Sequence, residues 1–327
     1  MTIQEIAKLA GVSVATVSRV FSGANNVSEK SREKVLSVAK SYNYEPNLLG
    51  RHLRTKETKI ILVLLTTIAN DFCSKVVRGI NREAMKNGYN IMICATNDDL
   101  ETEKSYLKLV KNRMADGAII MNTCMSDEEI NSLGERYNII QCSEYSCVNN
   151  VPYISIDNKQ AGYDAVSHLL SLGRRRIAYL GVKNHFTSSH LRFDGYIAAL
   201  RENGIEEDRD IIFDGNYGYN SSIKLTDEFL EKKVKFDAMF AISDRMAAGA
   251  ITSMKNHGLK VPEDIAVVGF DNTSISYIYE PNITTVAQPQ NELGEKAFQM
   301  MYDKIKKNEP KNIFLTHKII VRKSTQI

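Results

Sequence analysis

The stretch TIQEIAKLAGVSVATVSRV (residues 2–20) sets the reading of the N-terminal part of the chain. Thr2 and Glu5 have the spacing of a capping box, in which a hydroxyl and a carboxylate satisfy each other's backbone amides at a helix start. Ile6, Ala7, Leu9 and Ala10 follow at helical spacing and form one apolar face. Gly11 ends that helix, because a left-handed dihedral is open to glycine without a Cβ clash. Ser13 can cap a second helix reaching about residue 22. Ser28 can cap a third, with Val35, Leu36 and Ala39 turned inward.

Ala7, Gly11 and Val17 are the residue types a helix-turn-helix requires: a small side chain where the helices approach, a turn glycine, and an apolar anchor beneath the second helix. Val17 and Val20 then pack inward, leaving Val14, Ala15, Ser18 and Arg19 outward. Small outward residues let a helix enter a major groove. Arg19 can donate two hydrogen bonds to a guanine edge, and Val14 and Ala15 suit thymine methyls. Charge agrees with a polyanion partner for this part alone. Nine Lys or Arg stand against five Asp or Glu in residues 1–58, a surplus of four in a chain whose net charge is +3.

The 327 residues, 43% apolar and 25% charged, describe a globular protein of two or three domains. No apolar run approaches the roughly 20 residues of a membrane span, so no membrane partner is expected. Glu5 and Lys8 interrupt any signal-peptide core, which points to a cytoplasmic protein. The five cysteines (Cys73, Cys94, Cys124, Cys142, Cys147) form no CxxC pair and are read as reduced thiols. The six histidines lack ligand spacing, and neither a metal site nor a cofactor is expected.

From residue 59 onward, apolar strands alternate with helical stretches. IILVLL (60–65), NIMICA (90–95), GAIIMN (117–122) and NIIQC (138–142) are strands, and the first is followed by a helix through Val76, Val77, Ile80 and Ala84. The pattern restarts after Tyr153, with helices at about 161–172, 191–203, 222–231 and 245–257. These alternate with the strands RIAYLG, DIIFDG, AMFAI and IAVVGF. Alternation of this kind predicts two doubly wound parallel sheets with a ligand cleft at the strand carboxyl ends. No GxGxxG opens a helix and no P-loop is present, which disfavours those modes of phosphate binding.

TIQEIAKLAGVSVATVSRVFSG, VSEKSREKVL, YNYEPNLLGRHLRT and VVGFDNTSISYIYEPNITTVAQP, in this order along the chain, resemble the LacI/GalR family of bacterial transcriptional regulators. The resemblance implies an all-α helix-turn-helix head over 1–45 and a hinge helix or linker over 46–58. It implies an α/β body over 59–327 that resembles the periplasmic sugar-binding proteins. In that body one subdomain takes about 59–159 and 288–317, and the other about 160–287 and 318–327, the chain crossing three times. Ser13 and Thr16 join Val14, Ala15, Ser18 and Arg19 in the implied DNA-binding set. Asn47 opens the hinge helix, in which Leu53 is the apolar wedge entering the minor groove. Gly50 stands where the family usually has Ala.

For the cleft, the resemblance implies effector contacts from Asn70, Phe72 and Ser74, with Cys73 between them. Arg192 is the implied clamp on ligand hydroxyl or carboxylate groups, with Ser188 beside it. Tyr217 is the stacking aromatic, and Ser243 and Asp244 stand where many members have Asn-Asp. Asp271 and Gln288 complete the set, Asp271 as a strand-end carboxylate able to accept from two sugar hydroxyls. This polar set resembles the sugar-responsive branch of the family more than the purine-responsive one, the alternative being a regulator of the same family controlled by a purine or by a protein corepressor. The expected protein is a repressor that binds double-stranded, palindromic operator DNA as a homodimer under a small-molecule effector. The ending VRKSTQI, without leucine heptads beyond it, is read as a dimer lacking the tetramerising tail. A transport-type binding protein would lack the basic head. An enzyme would need a nucleophile elbow, metal spacing or an acid–base pair that the sequence does not offer.

Overall fold

The computed structural model describes residues 1–21, 26–44, 57–146, 150–184 and 186–326, in two units, Met1–Thr58 and Lys59–Ile327. Asn47, Gly50, Leu53 and Cys147 lie outside the described residues.

In the first unit, α1 (Ile3–Ala10) begins at the expected box: Thr2 Oγ1 accepts from the Glu5 amide at 3.3 Å, and Glu5 Oε2 accepts from the Thr2 amide at 2.7 Å. Gly11 closes the helix at φ +66°. The Ser13 hydroxyl accepts from the Thr16 amide at 3.1 Å ahead of α2 (Val14–Phe21), and Ser28 caps α3 (Glu29–Ser41). Ile6, Ala7, Ala10, Val17, Val20 and Val35 form the core. Leu9 and Leu36, expected inside, are 51% and 47% exposed. Three short helices around so few buried side chains cover only a narrow stripe of each, and both leucines fall on its flank.

The second unit holds two six-stranded sheets. The first has the order β11-β5-β4-β3-β1-β2, from β1 (Ile60–Leu65), β2 (Asn90–Ala95), β3 (Gly117–Ile120), β4 (Ile139–Cys142), β5 (Tyr153–Ile156) and β11 (Ile313–Leu315). The second has the order β12-β10-β9-β8-β6-β7. It is built from β6 (Ile177–Val182), β7 (Ile212–Gly215), β8 (Ala238–Ala241), β9 (Ala266–Asp271), β10 (Thr284–Ala287) and β12 (Lys318–Ile320). The chain therefore passes between sheets after β5, after β10 and after β11.

Among the described residues every pairing is parallel except β10 with β12, where Ala287 faces Lys318 and Thr285 faces Ile320. The exception follows from connectivity. β11 runs toward the carboxyl edge of its sheet, and two residues deliver the chain to the carboxyl end of β10. The last strand can only run back along it.

The Gln290–Ile305 helix returns to the first sheet and packs on the Asp71–Lys86 helix with backbones almost touching. A Cβ at Gly79 would stand 2.2 Å from the Asn291 carbonyl oxygen, and one at Gly294 would stand 2.1 Å from that of Val76. Glycine at both points is what lets this late helix seat beside an early one. Among the described residues no helix is long and apolar enough to cross a membrane, and no cluster of His, Cys, Asp and Glu is arranged to hold a metal ion.

Candidate functional site

The carboxyl edges of the two sheets face a common cavity of about 680 Å³. From the first sheet's side it is walled by Asn70, Phe72 and Cys73, at the start of the Asp71–Lys86 helix, and by Glu144, beyond β4. Asn70 caps that helix, its Oδ1 accepting from the Phe72 amide at 2.9 Å. Cys73 is buried, which pushes its thiol up to about 12 and keeps it protonated. From the second sheet come Ser188, Arg192, Tyr217, Ser243, Asp244 and Asp271, and Gln288 joins them from the segment after β10.

Arg192, on the Thr187–Glu202 helix, is only 7% exposed. Its Nε donates to Asn158 Oδ1 at 3.0 Å and its Nη1 to the Ile242 carbonyl at 2.8 Å, while the guanidinium lies 3.7 Å over the Phe270 ring. These contacts fix the plane of the fork and leave Nη2 directed at Asp271 Oδ1, 3.9 Å away. Asp271 ends β9 at φ +98°, followed by Asn272 at +53°, a strained pair of the kind that concentrates at functional turns. Gln288 Nε2 donates to the same Oδ1 at 2.7 Å, and Gln290 Nε2 donates to the Asp271 carbonyl. Burial raises the Asp271 carboxyl, and the charge of Arg192 opposes that rise. The arrangement is a buried carboxylate aimed by an arginine and an amide, suited to accept hydrogen bonds from ligand hydroxyls. Tyr217, half-exposed, shares a 2.9 Å hydrogen bond between its hydroxyl and Ser189 Oγ.

Two expected contacts are placed differently. Ser74 does not line the cavity: it is exposed, and its hydroxyl donates to the Asp71 carbonyl at 2.9 Å. One residue beyond Cys73, the helix has rotated the side chain away. Asp244 reaches the cavity wall, but its carboxylate is fully buried and taken up by the protein. Oδ2 accepts from the Thr273 amide at 2.6 Å and the Thr273 hydroxyl at 2.9 Å, and Oδ1 accepts from Thr285 Oγ1 at 2.5 Å. Asp244 thus holds the 271–274 turn rather than offering itself to a ligand. Ser243 caps the Asp244–Asn256 helix, accepting from the Met246 amide at 3.3 Å.

Burial, with the neighbouring charge of Asp271, raises Asp244 to about 7. A carboxyl raised in the folded state contributes stability below its unfolded value, about 4, and loses that contribution as pH climbs through the folded one. Asp244→Asn keeps the shape without a titration. The difference in unfolding free energy between wild type and Asp244→Asn should therefore move in the variant's favour between pH 4.5 and 7.5. Urea melts at the two pH values check this, and a constant difference would contradict it.

Residues absent from the sequence reading complete the site. Asn158 orients Arg192, and Phe186 and Arg245 line the cavity. Glu144 crosses from the opposite wall, where its Oε2 accepts from the Ser188 amide at 3.1 Å and its Oε1 bonds the Ser188 hydroxyl. The rule that ligands gather at strand carboxyl ends would have nominated the loop after β4, but no local pattern marks Glu144 itself. Further bonds tie the walls: Asp71 Oδ2 accepts from the Ser274 amide at 2.5 Å, Lys75 Nζ donates to the Asn272 carbonyl at 3.3 Å, and Thr187 Oγ1 donates to the Tyr145 carbonyl at 2.7 Å.

On the head, Val17 and Val20 are buried while Ser13, Val14, Ala15 and Arg19 are exposed and Thr16 and Ser18 half-buried. The Ser13 and Thr16 hydroxyls lie 2.9 Å apart, within the helix start that Ser13 caps. The exposed face of α2 therefore carries small side chains around one arginine.

Residues 2–47 match the family described as bacterial regulatory proteins, lacI family. Residues 58–323 match periplasmic binding proteins and sugar binding domain of LacI family. The HTH-type transcriptional regulator RegA of Clostridium saccharobutylicum is 35% identical over 330 residues, covering 99% of both chains. Among solved structures, the Lac repressor dimer bound to operator and the anti-inducer ONPF aligns with a TM-score of 0.91 at 27% identity, over 100% of this chain and 99% of that one. The transcriptional regulator CelR in complex with cellobiose aligns at 0.77 with 28% identity, over 99% of each chain. These relatives are regulators of transcription, not enzymes.

Proposed function

The chain belongs to the LacI family of DNA-binding transcriptional regulators, and from that premise we propose that it represses sugar-utilisation genes under the control of a sugar effector. In this reading the head, residues 1–45, reads a palindromic operator through Val14, Ala15, Ser18 and Arg19, with Ser13 and Thr16 setting the helix start. Residues 46–58 form a hinge in which Asn47 opens a helix and Leu53 wedges the minor groove. The body binds the effector and pairs two copies into a homodimer. The Lac repressor's dimer on operator supports the assembly, and CelR's complex with cellobiose supports the ligand class.

The observation that carries the effector reading is the convergence of Arg192, Asp271, Gln288 and Tyr217 on one cavity. Oriented acceptors and donors beside a flat ring match the alternating hydroxyl and apolar faces of a sugar. Asn70, Phe72 and Ser188 complete the proposed contacts, and Ser243 and Asp244 support them from behind. Because the cavity wall comes from both sheets, a ligand that prefers one arrangement of the walls biases that arrangement.

A thermal-shift screen of the full chain against mono- and disaccharides, nucleosides and purines tests the reading. A sugar at ~100 times its dissociation constant should add about 2.7 kcal/mol to stability. Stabilisation by a purine with none from any sugar would overturn the sugar assignment.

A further inference from the structure

Charge around the cavity is lopsided. Asp71, Asp98, Glu144, Asp244 and Asp271 line it, against Arg192 and Arg245. Both guanidinium groups also make contacts within the protein. Arg192 is held by Asn158, the Ile242 carbonyl and the Phe270 ring with Asp271 beside it, and Arg245 Nη2 donates to the Ala69 carbonyl at 3.1 Å. Two backbone donors at the cavity wall are engaged as well, the Ser188 and Ser274 amides. The Thr187–Glu202 helix has Phe186 at its N-cap, with no side-chain hydrogen bond of its own. One of its first-turn amides, at Ser188, is held instead by the Glu144 carboxylate from the opposite wall, together with the Ser188 hydroxyl. The Ser274 amide is held in the same way by Asp71.

A phosphate or carboxylate on a ligand is held best by an arginine fork or by free amides at a helix start. Here Arg192 lies beside Asp271, and the Ser188 and Ser274 amides face Glu144 and Asp71, so an anion approaching these donors meets like charge. We propose that Glu144 is a specificity-determining residue: by holding Ser188 across the cleft, it restricts the effector to an uncharged polyhydroxyl compound and excludes sugar phosphates and sugar acids. The inference rests on the reading that the effector binds in this cavity.

The test is a thermal-shift series on the full chain with matched neutral sugars, their 6-phosphates and their uronic acids, together with inorganic phosphate. It is run on wild type, Glu144→Ala and the near-isosteric Glu144→Gln. Neutral sugars should stabilise wild type while their charged counterparts at equal concentration do not. Both variants should gain apparent affinity for the phosphates, by about tenfold or more for Glu144→Ala. A sugar phosphate or acid that stabilises wild type as well as its neutral parent would overturn the proposal. So would the absence of any gain in both variants. Should no neutral sugar stabilise wild type, the carbohydrate reading falls by itself. Gain of phosphate binding in Glu144→Ala would then still uphold charge exclusion, and its absence would sink it.

Discussion

Asp271→Asn should weaken the effector response by about two orders of magnitude while operator affinity without effector stays within twofold. The carboxylate is the strand-end acceptor of the cavity, and its contacts with Gln288 and Arg192 both use Oδ1. Asparagine keeps the volume and tolerates the left-handed backbone at this position, φ +98°. What it removes is the charge that makes hydrogen bonds from ligand hydroxyls strong. Two such bonds at about 1.5 kcal/mol each correspond to roughly a hundredfold in affinity. Titrating effector into a preformed operator complex reads the result directly. A variant released at the wild-type concentration would move the effector site away from Asp271.

Arg19→Ala should cost about 1–3 kcal/mol of discrimination, roughly a 5- to 150-fold loss of preference for operator over scrambled DNA. The argument is geometric. Val17 and Val20 anchor α2 to the head core, so the opposite face is held outward, and Arg19 stands there among small side chains. If Arg19 reads guanine, truncation removes that bidentate contact, whereas the sequence-independent attraction to phosphates is shared among many basic residues. Fluorescence anisotropy with an operator selected from random DNA, beside a scrambled duplex, separates the two contributions. Equal loss on both duplexes would make Arg19 a backbone contact rather than a base reader.

These two residues also differ in how far the sequence prepares their roles. The outward placement of Arg19 is legible almost completely, because the helices of the head are organised by short-range rules. Caps at Thr2, Ser13 and Ser28, the turn at Gly11, and helical spacing around Ala7 and Val17 leave one outward face for α2. The same spacing misplaced Leu9 and Leu36, since periodicity marks an apolar stripe but not how wide a stripe the neighbouring helices can cover. Asp271 is legible only as a strand-end acid. Its aim comes from Gln288, Gln290 and Arg192, brought to it by separate elements.

By itself the sequence determined the class of fold: a capped helical head, then two sets of strands alternating with helices, the pattern of doubly wound sheets with a cleft at their carboxyl edges. Those signals are local, carried by residues a turn or a strand apart. The tertiary structure alone decided that Asp244 is spent on Thr273 and Thr285, that Ser74 turns outward, that β12 runs antiparallel, and that Glu144 reaches Ser188 across the cleft. Each depends on which group stands opposite. Asp71 and Ser274 meet across a separation of 203 residues. A polar side chain has the same identity whether it meets a ligand or a distant backbone amide, and only the folded chain supplies the partner that settles which.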